Sequence, residues 1–167
     1  NSETDTQAVA AYVDSYPFEA FLSMHTQGKL LYWAEEYHID GFRFDLMGIL
    51  DVETMNLLDK KLRSRRPDIM IYGEGWNMPT ALANEEKAMI DNQSKMPNIA
   101  FFNDFFRDHI KGSTSEFEVA SKGFITGDAM MIDAAKFSLA ATSHPNLYHK
   151  FDSPSQSINY VECHDNA

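Results

Sequence analysis

The chain has 167 residues, of which 44% are hydrophobic, and its 25 acidic against 14 basic side chains give a formal charge of −11. That is enough apolar material for one folded unit with a core, and too much for a disordered chain, while the charge repels phosphates and argues against a nucleic-acid partner. No apolar run approaches the roughly 20 residues of a membrane span, and the polar start NSETDTQAVA lacks the basic head and apolar stretch of a signal peptide, so localisation stays open between secreted and cytoplasmic.

Leu30, Trp33, Ala34 and Tyr37 follow the i, i+3, i+4, i+7 spacing of one helix face, and that helix is expected to begin near Phe18 and to contain Gly28. GFRFD, from Gly41 to Asp45, follows as a short strand. Asp51 is placed to cap a helix whose stripe is Val52, Met55, Leu58 and Leu62, and Pro67 ends it. Ile69 to Gly73 is the second strand, leading into Glu74. A polar stretch with Pro79 and Pro97 is expected to hold a helix over Leu82 to Ile90. Ile99 to Phe102 is the third strand, and helices are expected over Asp104 to Lys111 and Ala129 to Thr142. Loops fall near Lys111 to Ser115 and Phe151 to Ser157, and a fourth strand runs from Ser157 to Cys163. There is no internal repeat. Strands alternating with helices favour a parallel sheet in a single unit over 1–167, open or closed into a barrel.

The chemistry begins with parity. Successive strand side chains point to opposite faces, so Phe42 and Phe44 share one face while Arg43 and Asp45 share the other. The two phenylalanines are expected to pack on helices. Arg43 and Asp45 then point away from them, with Asp45 at the strand's carboxyl end, where parallel α/β sheets build their sites. A neighbouring cation keeps a carboxylate ionised, as a nucleophile requires; the plain alternative is a structural ion pair. Glu74 repeats the placement one unit later, between Gly73 and Gly75. Trp76 offers a flat apolar face able to desolvate Glu74, as a general acid needs, or to stack on a sugar ring; the plain alternative makes Glu74 a turn residue and Trp76 core.

His164, Asp165 and Asn166 close the last strand with three hydrogen-bonding groups suited to gripping sugar hydroxyls. His and Asp are also competent metal ligands, but no HExxH spacing is present and no metal is assigned. Cys163 is the single cysteine, which excludes an internal disulfide and a Cys-pair zinc site. Asp45, Glu74 and Asp165 all fall at strand carboxyl ends, on one rim. Retaining glycosidases need two carboxyl groups about 5–5.5 Å apart, and neighbouring strands lie about 4.8 Å apart, so Asp45 and Glu74 on adjacent strands can meet that requirement.

GFRFDLMGILD, IYGEGW and YVECHDN closely resemble three signature segments of the α-amylase superfamily of glycoside hydrolases, nearest to the type I pullulanases. The intervening FFNDFFRDHIKG is similar too, extending the resemblance over roughly residues 30–167. It implies that Asp45 is the nucleophile, Glu74 the general acid/base and Asp165 the stabiliser of the transition state. It further implies that Arg43 and His164 orient the nucleophile and bind the innermost sugar, and that Trp76 lines the cleft. Many α-amylases carry Lys and His three and four positions after the nucleophile. Gly48 and Ile49 stand there in this chain, which favours the pullulanases.

The resemblance implies an α/β fold, a partial TIM-type (β/α) barrel covering about strands 4–7. Residues 1–29 are an atypical lead-in, and the family's earlier Asp and Asn-His segment and its YNWGYDP-like motif are absent from the sequence. The expected function is that of a segment of a retaining hydrolase cleaving α-1,6-glucosidic links in pullulan, amylopectin or glycogen, inactive alone and needing no cofactor. The missing barrel strands, or a second copy, are the expected partners. The alternatives are a segment of an α-1,4-acting amylase or glucanotransferase, and a non-catalytic half-barrel assembly or glucan-binding module.

Overall fold

A computed structural model describes residues 28–114, 118, 120–144 and 149–164. The helix start expected near Phe18, most of the 1–29 lead-in, and the expected site residues Asp165 and Asn166 lie outside them. Helix α1 is described over 28–36 and leads into strand β1 (Gly41–Phe44). Helix α2 (Val52–Arg65) crosses over to β2 (Met70–Gly73), and a long irregular connection reaches β3 (Ala100–Asn103). Helices α3 (Asp104–Ile110) and α4 (Ile132–Leu139) precede β4 (Ser157–Asn159). The four strands pair in parallel in the order β1-β2-β3-β4, which is possible because every connection is long enough to cross back over the sheet.

α2 forms where its cap and stripe predict. The Asp51 carboxylate accepts from the Thr54 backbone N–H at 2.6 Å and from its hydroxyl at 2.7 Å, satisfying first-turn groups that have no helical partner. Met55, Leu58 and Leu62 are at most 1% exposed. The helix closes with Arg66 N–H donating to Leu62 at 2.8 Å, immediately before Pro67.

Strand register divides the sheet into two faces. Arg43 pairs with Tyr72 and Tyr72 with Ala100, while Phe44 pairs with Gly73 and Gly73 with Phe101. Phe42, Phe44, Ile71 and Phe101 therefore share the face packed against Met55, Leu58, Leu62, Met96 and Ile99. Burying each large side chain there contributes about 1.5–3 kcal/mol. Arg43, Tyr72 and Phe102 lie on the opposite face, as the parity of GFRFD predicts. Along it the Tyr72 and Phe102 rings meet edge to face at 5.6 Å, Phe102 meets Tyr160 at 4.9 Å, and the Arg43 guanidinium sits 5.2 Å over Phe102.

Three expectations are corrected. No α-helix forms over Leu82 to Ile90; the chain makes turns there and then a 3-10 helix, Ile90–Lys95. Its backbone groups are taken by other segments. Val52 N–H donates to Glu86, Ala88 N–H donates to Leu50, and the Asn92 amide donates to the carbonyls of Asn84 and Lys87. Lys87, 5% exposed, anchors the connection by donating to the Asn77 and Asn84 side chains and the Met78 carbonyl.

The second correction shortens β4, expected to reach Cys163 but ending at Asn159. Its partner β3 ends at Asn103, opposite Asn159, where the chain turns into α3, so no strand remains to pair with. The third concerns Ala129 to Thr142, which divides into a 3-10 turn (Ala129–Met131) and α4. Ala141 and Thr142 take left-handed φ values of 57° and 52°, breaking the helix. Thr142 is thereby brought to Asn103. That asparagine is fully buried, and its amide faces the Thr142 hydroxyl at 2.9 Å and the Ser157 and Asn159 side-chain oxygens at 3.0 Å each. Its own oxygen caps α3 through Phe106 N–H at 3.2 Å.

Candidate active site

Asp45 and Glu74 follow directly on β1 and β2, which are hydrogen-bonded neighbours, so both emerge on one rim. Arg43, two residues before Asp45, joins them. One guanidinium nitrogen donates to Asp45 at 3.0 Å and the other donates to a Glu74 oxygen. Burial works against the Arg43 charge, but the surrounding groups, Glu74 foremost and then Cys163 and Asp45, outweigh it and hold its pKa above the usual arginine value. Its Nε is buried with no hydrogen-bond partner among the described residues.

The second Glu74 oxygen is held by backbone. Leu46 adopts a left-handed conformation, φ 46° and ψ 42°, which is costly for a residue with a side chain. That turn aims its N–H at Glu74 Oε2, 2.8 Å away. The following 3-10 turn stays close to the same loop, with Gly48 N–H donating to the Glu74 carbonyl at 3.1 Å. A Cβ at Gly48 would lie 1.8 Å from the Trp76 carbonyl oxygen, so glycine is required for this approach. The two carboxylates differ in access: the Glu74 side chain is 2% exposed and that of Asp45 is 59% exposed.

From the segment after β4, His164 Nε2 lies 3.4 Å from Asp45 Oδ1. Cys163 Sγ sits 3.6 Å from His164 Nδ1 and 3.7 Å from Arg43. Glu74, Cys163 and His164 thus place potential metal-ligand atoms within 4.8 Å of one another. The Arg43 guanidinium already contacts two of these three, so a bound ion would have to displace a resident cation.

Half-buried Trp76 turns its indole N–H to Asp104 Oδ2 at 2.7 Å. The other Asp104 oxygen accepts from the Tyr160 hydroxyl at 2.5 Å, and that hydroxyl accepts from Arg107 at 2.6 Å. Burial, then the Asp104 hydrogen bond and charge, push the Tyr160 phenol strongly upward. The Arg107 pKa is raised: burial opposes its charge, and Asp108, Tyr160 and Asp104 overcome that.

Of the residues singled out from sequence, the structure brings together Arg43, Asp45, Glu74 and His164, and sets Trp76 two residues beyond Glu74 on the same rim. Sequence reasoning missed Leu46, Cys163, Asp104 and Tyr160 as site components. Asp104 carried the same signal as Asp45 and Glu74, an acidic residue at a strand's carboxyl end. The Leu46 turn had no signal, because leucine has no preference for positive φ.

An enclosed and an open carboxylate thus follow adjacent parallel strands, bridged by one arginine, with a histidine beside Asp45 and a tryptophan two residues beyond Glu74. No protein-family model matches the chain. It is 46% identical over 138 residues to the pullulanase of Bacillus subtilis strain 168, covering 82% of this chain and 19% of that protein. Pullulanase A of Streptococcus pneumoniae strain D39 is 33% identical over 146 residues, covering 83% of this chain and 11% of that protein. The solved pullulanase of Anoxybacillus sp. LM18-11 complexed with maltotriose superposes with a TM-score of 0.81 at 43% identity, over 88% of this chain and 20% of that one. Type I pullulanase of Bacillus subtilis strain 168 complexed with maltose gives 0.82 at 43% identity, over 87% and 20%. The chain belongs to the pullulanase-like glycoside hydrolases, and it spans between about a tenth and a fifth of the length of these relatives.

Proposed function

We propose that this chain is the catalytic segment of a retaining α-1,6-glucosidase acting on branched α-glucans such as pullulan, amylopectin or glycogen. Its sheet is an arc of a (β/α) barrel, about strands 4–7, whose remaining strands come from elsewhere. Asp45 attacks the anomeric carbon and Glu74 protonates the departing glycosidic oxygen; water then releases the glycosyl-enzyme with Glu74 as base. Arg43 orients the two carboxylates, Trp76 lines the cleft, and His164, Asp165 and Asn166 bind the innermost sugar, Asp165 adding negative charge near the reacting carbon. The observation that carries the reading is the single guanidinium shared by Asp45 and Glu74 on adjacent strand ends. The malto-oligosaccharides in the related solved structures support an α-glucan as ligand. Gly48 and Ile49 after the nucleophile favour α-1,6 over α-1,4 cleavage.

The isolated chain is inactive in this reading. Both Glu74 oxygens accept hydrogen bonds and the side chain is enclosed, whereas a general acid has to present a proton to the leaving oxygen. The test is a transplant, with this chain's matched residues replacing their counterparts in the Bacillus subtilis pullulanase. The chimaera is expected to release maltotriose from pullulan and to leave linear amylose intact, and Asp45→Asn or Glu74→Gln should each lower kcat at least about 1,000-fold. A folded chimaera active on pullulan without Asp45 would overturn the assignment, and amylose cleavage would favour the α-1,4 reading.

A second reading, a non-catalytic assembly or glucan-binding module, has one observation in its favour. Among the described residues β1 and β4 each have a single strand neighbour, leaving two edges for added strands. Sizing chromatography with maltotriose titration separates the cases.

A further inference from the structure

The Asp104 carboxylate is the meeting point of three chain segments that are far apart in sequence. Trp76 comes from the loop after β2, Asp104 and Arg107 from the first turns of α3, and Tyr160 from the segment after β4. The hydrogen bonds have one consistent direction. Arg107 donates to the Tyr160 oxygen, the Tyr160 hydroxyl proton goes to Asp104 Oδ1, and the Trp76 indole N–H goes to Asp104 Oδ2. Indole has only that one polar atom and phenol only that one proton, so each ring makes its donor contact at Asp104. Asp104 itself is fixed from behind, because the preceding residue, Asn103, is fully buried and caps α3. The Tyr160 ring is braced by Phe102 at 4.9 Å and by the Arg107 guanidinium 5.5 Å from its centroid.

We propose that Asp104 is a positioning residue, whose two carboxylate oxygens hold the Trp76 indole, and through Tyr160 the segment leading to His164, in one arrangement at the rim. It touches no reacting atom. Its effect on sugars rests on the reading above of Trp76 as a cleft-lining residue, but its hold on the ring does not. An anionic carboxylate is required because both partners are donors: an amide offers one acceptor oxygen and turns an NH2 toward the other donor.

The test uses the purified chain with Trp33→Phe, which leaves Trp76 as the single tryptophan. Time-resolved fluorescence anisotropy reads the ring's local motion, and hydrogen exchange at the indole N–H reads its hydrogen bond. Asp104→Asn is expected to add a fast local motion of Trp76, to accelerate indole N–H exchange at least about tenfold, and to weaken maltotriose binding by about tenfold, a loss typical of one charge-assisted hydrogen bond. Tyr160→Phe keeps the indole bond but removes the second anchor, and should give a smaller release in the same direction. It also serves where Asp104→Asn does not fold. Asp133→Asn, on the exposed face of α4, is the control. Unchanged anisotropy and exchange in folded Asp104→Asn, or in Tyr160→Phe if only that variant folds, would overturn the proposal. A freed ring in a chain that binds no maltotriose even with Asp104 intact would sustain the clamp and count against the sugar-binding reading instead.

Discussion

The two halves of the sheet are held together by different forces. Around β1, α2 and β2 the packing is mainly apolar: Met55, Leu58, Leu62, Ile69 and Ile71 are at most 2% exposed. Around β3 and β4 the joint is polar and buried. Asn103, Thr142, Ser138 and Gln156 are at most 2% exposed; Asn103 binds Thr142, Ser157 and Asn159, and Gln156 donates to the carbonyls of Gln93 and Met96. Apolar packing tolerates exchange of like for like, whereas a buried polar hub requires every donor to meet its acceptor. The first half is thus a platform, and the second sets a specific alignment between β4, α3 and the loops that carry His164 and Tyr160.

Substitutions can break that contrast or sharpen it. The largest loss is expected from Leu58→Ala, about 3–4 kcal/mol of stability, because the removed atoms leave a cavity in the enclosed core; Leu58→Met should cost less than about 1.5 kcal/mol. Urea unfolding measures both, and equal losses would show that shape rather than apolar volume governs this half. Arg43→Met comes next at about 3 kcal/mol, since it strands the enclosed Glu74 carboxylate without its cation. Glu74→Gln in the same background should recover most of that loss, and a failure to do so would place the Arg43 contribution elsewhere.

Asn103→Leu keeps the branching of the side chain but leaves three oxygens facing a bulkier apolar group and uncaps α3, for about 2 kcal/mol. Thermal unfolding measures it, and a neutral result would refute the polar-hub account of the second half. The smallest change is expected from Glu162→Gln. Its exposed pairing with Lys111 ties α3 to the segment after β4 and contributes under about 1 kcal/mol, fading in high salt.

The same contrast explains what could be read before the fold was known. The α2 stripe and its Asp51 cap, the parity of GFRFD and the strand placing Glu74 at its end were all legible, because periodicity reports which side chains meet a core. β4, Ser-Ile-Asn, carries no such period, and its end is set by where β3 stops. The helix expected over 82–90, within a polar stretch, does not form because backbone groups there bond to Leu50, Val52 and Asn92 instead. Asp45, Glu74, Arg43 and His164, singled out by residue type, lie together in the fold, while Leu46 joins them through its backbone and carried no signal.

By itself the amino-acid sequence determined the strand–helix–strand unit from β1 through α2 to β2, the face on which Phe42 and Phe44 pack, the kinship of its GFRFD, GEGW and ECHDN segments, and the acidic pair at neighbouring strand ends. These depend on local period and residue type, which are written in the chain. Only the tertiary structure decided that Arg43 spans both carboxylates, that Glu74 is enclosed while Asp45 is open, and that Trp76 and Tyr160 meet on Asp104. The pairings of Arg43 with Glu74 and of Trp76 and Tyr160 with Asp104 join residues tens of positions apart, and such contacts arise from register and crossover geometry that no local pattern encodes.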